Sequence, residues 1–237
     1  MSDNRTLLVS PHSSLWILLY LLFKYYKEIT LFRVITVFSG IVLAGGKSKR
    51  MGSDKRFIRL FGKTLLDISI ERLRRVTEEV LVVLGDREGL SFKDVRFVFD
   101  TERGKGPMVG LLSGLQEMKG QYGVVTSVDT PLVTVDFLGY IKEMALSFDA
   151  VIPRWSRGLE PLIAVYSKGV VPFIRDWVYE GKSLSLYLFI EGGNFRIRFL
   201  EEEEIKRFGD PEVLFFNVNT REDLARLKTL WRNLRDD

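Results

Sequence analysis

The chain has 237 residues, 46% of them hydrophobic and 28% charged, which is the composition of an ordinary folded protein. Its formal net charge is only +4, so no basic stripe indicates a nucleic-acid partner. The chain has no cysteine, and its single histidine is His12, which excludes disulfides, thiolate metal sites and a Ser-His-Asp triad in the main body. Carboxylates, lysines, arginines and hydroxyls remain for chemistry, and these groups suit phosphate and magnesium.

The N-terminal segment carries a nine-residue apolar run at 15–23, LWILLYLLF, bounded by Ser14 and Lys24. A membrane-spanning helix needs about 20 such residues, so the run is too short to span. A signal peptide is disfavoured because no small-residue cleavage site follows promptly. We predict a hydrophobic extension over 1–36. Three interpretations of it stay open: an interfacial helix, an extra helix packed on the domain, or upstream sequence from a wrongly assigned start.

From Val37 onward, short apolar runs alternate with helical patterns, which predicts a single α/β domain over 37–237 with a mostly parallel sheet flanked by helices. Thr64 and Asp67 predict a capping box for the first helix, and four glutamates at 201–204 predict the start of a short helix. The predicted strands are 41–44, 79–85, 95–100, 122–129, 149–153, 161–167, 195–200 and 212–218. The predicted helices are 65–76, 107–118, 134–148, 168–178, 183–190 and 221–235.

A glycine-rich loop, Leu43–Lys55 with the sequence LAGGKSKRMGSDK, follows the first predicted strand. Gly45 and Gly46 allow φ > 0 and a close approach of the backbone to a ligand, and successive amides with lysine and arginine form a cradle for a polyphosphate. The alternative is an ordinary strand–helix turn with a solvated basic face. A P-loop is a poor fit because Ile41 stands where that motif requires glycine, and no GxGxxG is present.

The same loop resembles the signature of the molybdenum cofactor guanylyltransferases, LAGGxSxRMGxDK, within the nucleotidyltransferase superfamily, and matches every fixed position. Four later segments resemble family motifs. They are Gly106–Leu111 after Asp100 (a GPLxG-like turn), Ser127–Leu132 (DxP), Glu160–Leu162 (EPL) and Asn217–Leu224 (NxNTPEDL, with Arg221 in place of proline). Pro107 also suits a plain first helical turn, Asp129 the cap of the next helix, and Thr220 with Asp223 the cap of the last helix.

Asp129 ends the most apolar strand of the body, at the sheet edge where α/β proteins bind ligands, and it is our predicted metal ligand. The resemblance implies a Rossmann-like nucleotidyltransferase fold and transfer of GMP from GTP to molybdopterin (molybdenum cofactor), with Mg²⁺ as cofactor and pyrophosphate as leaving group. The implied catalytic residues are Arg50, Lys55 and Asp129. The implied nucleotide-binding residues are Leu43, Ala44, Gly45, Gly46, Lys55, Asp100 and Asp129. The implied acceptor-binding residues are Glu160, Asn217 and Asn219, and a position near the metal stays open as the alternative for the two asparagines.

We expect a cytoplasmic monomer that binds no nucleic acid, and we do not expect membrane contact through 1–36. Several alternatives stay open. A sister enzyme could cytidylate molybdopterin, or guanylylate a cobamide or phospholactate precursor. A protein of another class, a non-catalytic nucleotide binder at a membrane surface, would use 1–36 for targeting.

Overall fold

The computed structural model describes residues 20–21, 37–45, 54–85, 95–99 and 106–236. The chain divides into two compact units, 1–36 and 37–237. In the first unit, Tyr20 and Leu21 are helical. Within the described ranges, no helix has both the length and the apolar character that crossing a membrane requires.

The second unit is built on a mostly parallel sheet. Its described strands are β1 Phe38–Leu43, β2 Arg59–Leu60, β3 Lys63–Thr64, β4 Glu79–Leu84, β5 Arg96–Phe99, β6 Tyr122–Ser127, β7 Ala150–Trp155, β8 Gly158–Leu159, β9 Ala164–Ser167 and β10 Ile197–Leu200. The sheet order is β10-β7-β9-β6-β1-β4-β5, with β8 paired to β7, whereas β2 and β3 form a separate hairpin. All pairings along this order are parallel except those of β9, which runs against β6 and β7. This arrangement confirms the predicted mostly parallel α/β sheet.

Several of the described helices begin directly after a residue whose side chain caps them. Thr64 and Asp67 form the predicted capping box, with Thr64 N donating to Asp67 Oδ2 at 2.8 Å and Asp67 N to Thr64 Oγ1 at 3.0 Å. The four-glutamate run opens a short helix as predicted. The helices are α1 Leu65–Arg74, α2 Pro107–Glu117, α3 Val135–Met144, α4 Val171–Tyr179, α5 Leu186–Gly192, α6 Glu202–Ile205, α7 Pro211–Leu214 and α8 Arg221–Asp236.

The sheet is buried on both faces, which explains why its central strands are continuously apolar. On β1, Val42 packs into the cluster under α1, α3 and α8, whereas Ile41 packs into the cluster under α2, α4 and α5. Gly114 lets α2 lie close to β1, because a Cβ there would stand 2.8 Å from Ile41 Cγ2. The sheet is therefore a rigid base whose carboxyl edge presents the loops.

The strand predicted at 212–218 is wrong. Asp210 caps the short helix α7 instead, with Glu212 N donating to Asp210 Oδ1 at 2.9 Å and Pro211 in the first turn. The apolar residues after it, Phe215 and Phe216 among them, are buried without being in a strand. Two hairpins, β2–β3 and β7–β8, were not predicted, and the predicted strand 161–167 is shorter than expected, since only its last four residues pair as β9.

Candidate active site

The ends of β1 and β6 place two predicted ligand-binding segments side by side. The strands are parallel neighbours, with Leu43 opposite Ser127, and Val128 N donates to Leu43 O at 3.2 Å. Gly45 does not have the positive φ that we expected. Its lack of a side chain matters for close approach, because a Cβ there would lie 3.4 Å from Gly85 N at the end of β4. The loops after three neighbouring strands therefore converge at one edge.

Lys55 starts a short 3-10 turn, Lys55–Phe57, that Asp54 holds in place. Asp54 Oδ1 accepts from Arg56 N at 2.9 Å, and its other oxygen accepts from Arg56 Nε at 2.7 Å. Burial alone would raise the pKa of Asp54, but the hydrogen bonds and charge of Arg56 outweigh it and lower that pKa. Asp54 thus fixes the backbone from which Lys55 extends.

Lys55, Asp129 and Asn219 meet at the centre of the site. Lys55 Nζ lies 3.1 Å from Asp129 Oδ2 and donates to Asn219 Oδ1 at 2.7 Å. The side chains of Lys55 and Asp129 are 15% and 23% exposed, so this ion pair is less screened by solvent than a surface pair. Ser127 Oγ donates to the second carboxylate oxygen of Asp129. Asp129 is not the cap of the next helix, because Thr134 occupies that position.

The segment around Asn219 is tied to the rest of the site by backbone hydrogen bonds. Val218 N donates to Asp129 O at 2.9 Å. Asp223 Oδ2 accepts from Asn219 N at 2.9 Å and from Thr220 N at 2.8 Å, while Asp223 N donates to Thr220 Oγ1 at 3.1 Å, which confirms the predicted cap of α8. These backbone hydrogen bonds, with the charge of Lys55 as a smaller cause, lower the pKa of Asp223.

Asn217 and Glu160 have other surroundings. Asn217 is exposed, and its side-chain amide donates to Phe215 O at 3.2 Å. Glu160 follows β8, and its carboxylate accepts from Trp155 Nε1 at 3.0 Å. Burial raises the pKa of Glu160. The Trp155 ring lies 5.8 Å from the ring of Phe215, so aromatic groups connect the Glu160 region to the Asn217 segment.

Three of the predicted site residues, Gly46, Arg50 and Asp100, lie outside the described residues. Leu43 is the last residue of β1, and Ala44 and Gly45 follow it directly.

The donor atoms present suit a hard divalent cation. Within the described part of the chain, no three histidine, cysteine, aspartate or glutamate side chains form a metal-binding group. Asp129 nevertheless supplies a carboxylate, with the amide oxygen of Asn219 bound to the same lysine. Mg²⁺ in such sites takes one or two carboxylates and completes its shell with phosphate oxygens and water. The residues therefore fit a metal that is bound together with a nucleotide.

Two further contributors, Asp54 and Ser127, lie inside the predicted motifs, but no role was predicted for them. For Ser127 the signal is its place two positions before Asp129. The strand predicted at 122–129 ends at Ser127, and Asp129 lies in the turn that follows. For Asp54 the signal is its position directly before Lys55, where aspartate is a favoured helix cap.

The sequence of this chain is similar to that of known proteins over most of its length. Residues 40–189 match the family model described as "MobA-like NTP transferase domain". A "Probable molybdenum cofactor guanylyltransferase" of Methanosarcina mazei is 36% identical over 202 residues, which cover 80% of this chain and 89% of the relative. The "Molybdenum cofactor guanylyltransferase" of Syntrophotalea carbinolica is 31% identical over 198 residues, which cover 82% of this chain and 90% of the relative.

A solved structure agrees with these sequence matches. The crystal structure of molybdopterin-guanine dinucleotide biosynthesis protein A from Archaeoglobus fulgidus has a TM-score of 0.71 to this chain at 25% identity, and the match covers 82% of this chain and 99% of that one. The similarity therefore extends well beyond the glycine-rich loop.

Proposed function

This chain belongs to the MobA-like NTP transferase family, and from that membership we propose that it transfers GMP from GTP to molybdopterin. The products are molybdopterin guanine dinucleotide and pyrophosphate. The names of the two relatives and of the Archaeoglobus protein support this pair of substrates. The predicted class of enzyme, a nucleotidyltransferase, is confirmed by the family.

The observation that carries the proposal is the contact of Lys55 with both Asp129 and Asn219. These residues come from three separate motifs of the resemblance, 74 and 164 positions from Lys55, and the fold joins them at one lysine nitrogen. Nucleotidyl transfer needs a cation for the leaving phosphates and a carboxylate for a metal, and catalysis by positioning and charge neutralisation is the general pattern for phosphoryl chemistry. The contact supplies both groups.

In the proposed reaction, the terminal phosphate of molybdopterin attacks the α-phosphorus of GTP. A new P–O bond forms there, the bond between the α-phosphorus and the bridging oxygen breaks, and its electron pair leaves with pyrophosphate. The attacking phosphate is already ionised, so no general base is required, which agrees with the lack of histidine in 37–237. Lys55 balances the charge that develops on the leaving pyrophosphate.

The other proposed roles concern binding. The backbone amides of Leu43, Ala44, Gly45 and Gly46 hold the nucleotide, Arg50 adds a second cation, and Asp100 contacts the nucleoside. Asp129 holds Mg²⁺. When bound, the ion would withdraw charge from the phosphate oxygens.

On the acceptor side we propose contacts from Glu160, Asn217 and Asn219. Asn219 stands beside Lys55, where acceptor and nucleotide would meet, which supports its role. We also propose that 37–237 is the nucleotidyltransferase domain, that 1–36 is an N-terminal extension, and that the protein acts as a cytoplasmic monomer without nucleic acid.

A pyrophosphate-release assay tests the function. The purified protein is supplied with Mg²⁺ and molybdopterin and with GTP, CTP or ATP in turn. We expect release with GTP alone. Release with CTP alone would replace the guanylyl activity by a cytidylyl one. If the protein binds nucleotide but releases no pyrophosphate with molybdopterin, with a cobamide precursor or with a phospholactate precursor as acceptor, the catalytic proposal is overturned.

A further inference from the structure

Helices α1 and α8 both begin with a threonine and an aspartate three positions later, but the two aspartates bind different backbone groups. At α1, Asp67 Oδ2 accepts from Thr64 N at 2.8 Å and from Thr64 Oγ1 at 2.6 Å. At α8, Asp223 Oδ2 accepts from Thr220 N at 2.8 Å and also from Asn219 N at 2.9 Å. The second cap therefore fixes one residue more, the residue that precedes the threonine.

That extra residue touches the catalytic lysine. Asn219 Oδ1 accepts from Lys55 Nζ at 2.7 Å. The backbone on the other side of Asn219 is also fixed, because Val218 N donates to Asp129 O at 2.9 Å. Asn219 is thus anchored on one side by the cap of α8 and on the other by the loop that carries Asp129.

A lysine side chain is long and flexible, so a precise acceptor is needed to hold its ammonium group at one place. Asn219 is such an acceptor only while its own backbone is held.

We propose that Asp223 is a positioning residue that acts through Asn219 to hold Lys55 for nucleotidyl transfer. The proposal rests on the proposed function, and it gives the cap of α8 a role beyond starting the helix. Asp223 Oδ2 accepts from the backbone N–H groups of Asn219 and Thr220, so its influence on Lys55 passes through Asn219.

The test uses the full chain and a matched control. Asp223→Ala removes the capping carboxylate of α8 and its hold on Asn219, whereas Asp67→Ala removes only the capping carboxylate of α1; the capping hydroxyls of Thr220 and Thr64 remain in both variants. We expect both variants to remain folded, with thermal midpoints lowered to a similar extent, because each loses one capping carboxylate. We expect Asp223→Ala to reduce kcat about tenfold, within the range of couplings between contacting groups, while Asp67→Ala stays within about twofold of the wild type. Asp223→Asn, whose amide oxygen can still accept from the backbone, should recover most of the loss.

A double-mutant cycle separates positioning from general damage. In a Lys55→Ala background, Asp223→Ala should cause no further loss, because the group that it positions is gone. The same tenfold loss in that background, or an equal loss of kcat in Asp67→Ala, would overturn the proposal.

A second readout keeps this test independent of the acceptor. GTP binding in the presence of Mg²⁺, measured by calorimetry, should weaken several-fold in Asp223→Ala only when Lys55 is present. If the wild type binds GTP but does not release pyrophosphate with molybdopterin, the proposed function fails, and the binding cycle still decides the role of Asp223. Equal weakening with and without Lys55 would refute that role.

Discussion

Two regions at the carboxyl edge of the sheet surround a half-buried carboxylate with different partners. Next to β1 and β6, Asp129 pairs with the ammonium group of Lys55 and accepts from Ser127. Next to β7 and β8, Glu160 accepts from the indole of Trp155, and burial raises its pKa. The first arrangement suits a triphosphate with its metal. The second arrangement holds a carboxylate beside the rings of Trp155 and Phe215. A carboxylate repels a phosphate, so these surroundings suit a polar, uncharged ring better.

We expect the greatest loss of turnover when Lys55 is replaced in the charged region. Lys55→Ala should lower kcat by roughly 10²–10³, because it removes the positioned charge at the leaving group while leaving the core untouched. Pyrophosphate release measures the loss. Lys63→Ala is the control. Lys63 is an exposed lysine on the β2–β3 hairpin that pairs with Glu71 of α1, so this variant should turn over like the wild type. A folded Lys55→Ala protein with full turnover would contradict the role of Lys55.

A second substitution tests the carboxylate of the same region. Asp129→Asn keeps an oxygen that can accept from Lys55 but removes the charge, so we expect turnover to fall about a hundredfold and more Mg²⁺ to be needed for half-maximal rate. A titration of rate against Mg²⁺ concentration gives both values. Asp136→Asn, at an exposed carboxylate in the first turn of α3, serves as the control. An unchanged Mg²⁺ requirement in Asp129→Asn would remove Asp129 as the metal ligand.

The aromatic region should respond through the acceptor. Glu160→Gln retains an oxygen that can accept from Trp155 Nε1 but removes the negative charge. Because Glu160 is proposed to contact the acceptor, we expect KM for molybdopterin to rise about tenfold while KM for GTP changes less than twofold. Steady-state kinetics with each substrate varied in turn provide the measurement. An equal change in both KM values would show that the two regions are not separate.

Glu160→Gln should also change the pH dependence of thermal stability. The folded-state pKa of Glu160 is raised, so the ionised carboxylate destabilises the fold above that pKa, and the cost disappears below the ordinary pKa of glutamate. Glu160→Gln should therefore melt a few degrees above the wild type at neutral pH, and the two should converge as the pH falls. Melting curves across this pH range test the sign, and a lower midpoint for the variant at neutral pH would reverse our interpretation.

The smallest expected effect concerns Ser127. Ser127→Ala removes one donor to Asp129, and we expect turnover to drop only a few-fold because Lys55 still holds the carboxylate. Ser69→Ala removes a comparably buried hydroxyl whose partner is Leu65 O within α1, and it should leave turnover unchanged. Similar turnover in the two variants would mean that Ser127 has no part in orienting Asp129.

The sequence predicted the sheet well, because β1, β4 and β6 are buried on both faces and their continuous apolar runs have no other easy interpretation. It failed at 212–218, where Phe215 and Phe216 fill the core from an irregular segment after the proline-started helix α7. An apolar run records burial and says little about backbone pairing.

The site was only partly predictable for a related reason. Motifs identified Lys55 and Asp129 singly, and the cap at Thr220 and Asp223 was visible as a local pattern. The contact of Lys55 with Asn219 spans 164 positions, and no local pattern in a single chain reports such a pair. Gly46, Arg50 and Asp100 stay predictions.

The proposed reaction requires attack at the α-phosphorus of GTP, and labelled GTP tests this step. With GTP labelled at the α-phosphate, Mg²⁺ and molybdopterin, we expect label in a guanine dinucleotide product. With GTP labelled at the γ-phosphate, we expect label only in pyrophosphate. Transfer of the γ-label to the acceptor, or release of the α-label as GDP or free GMP with no dinucleotide formed, would contradict the proposed reaction.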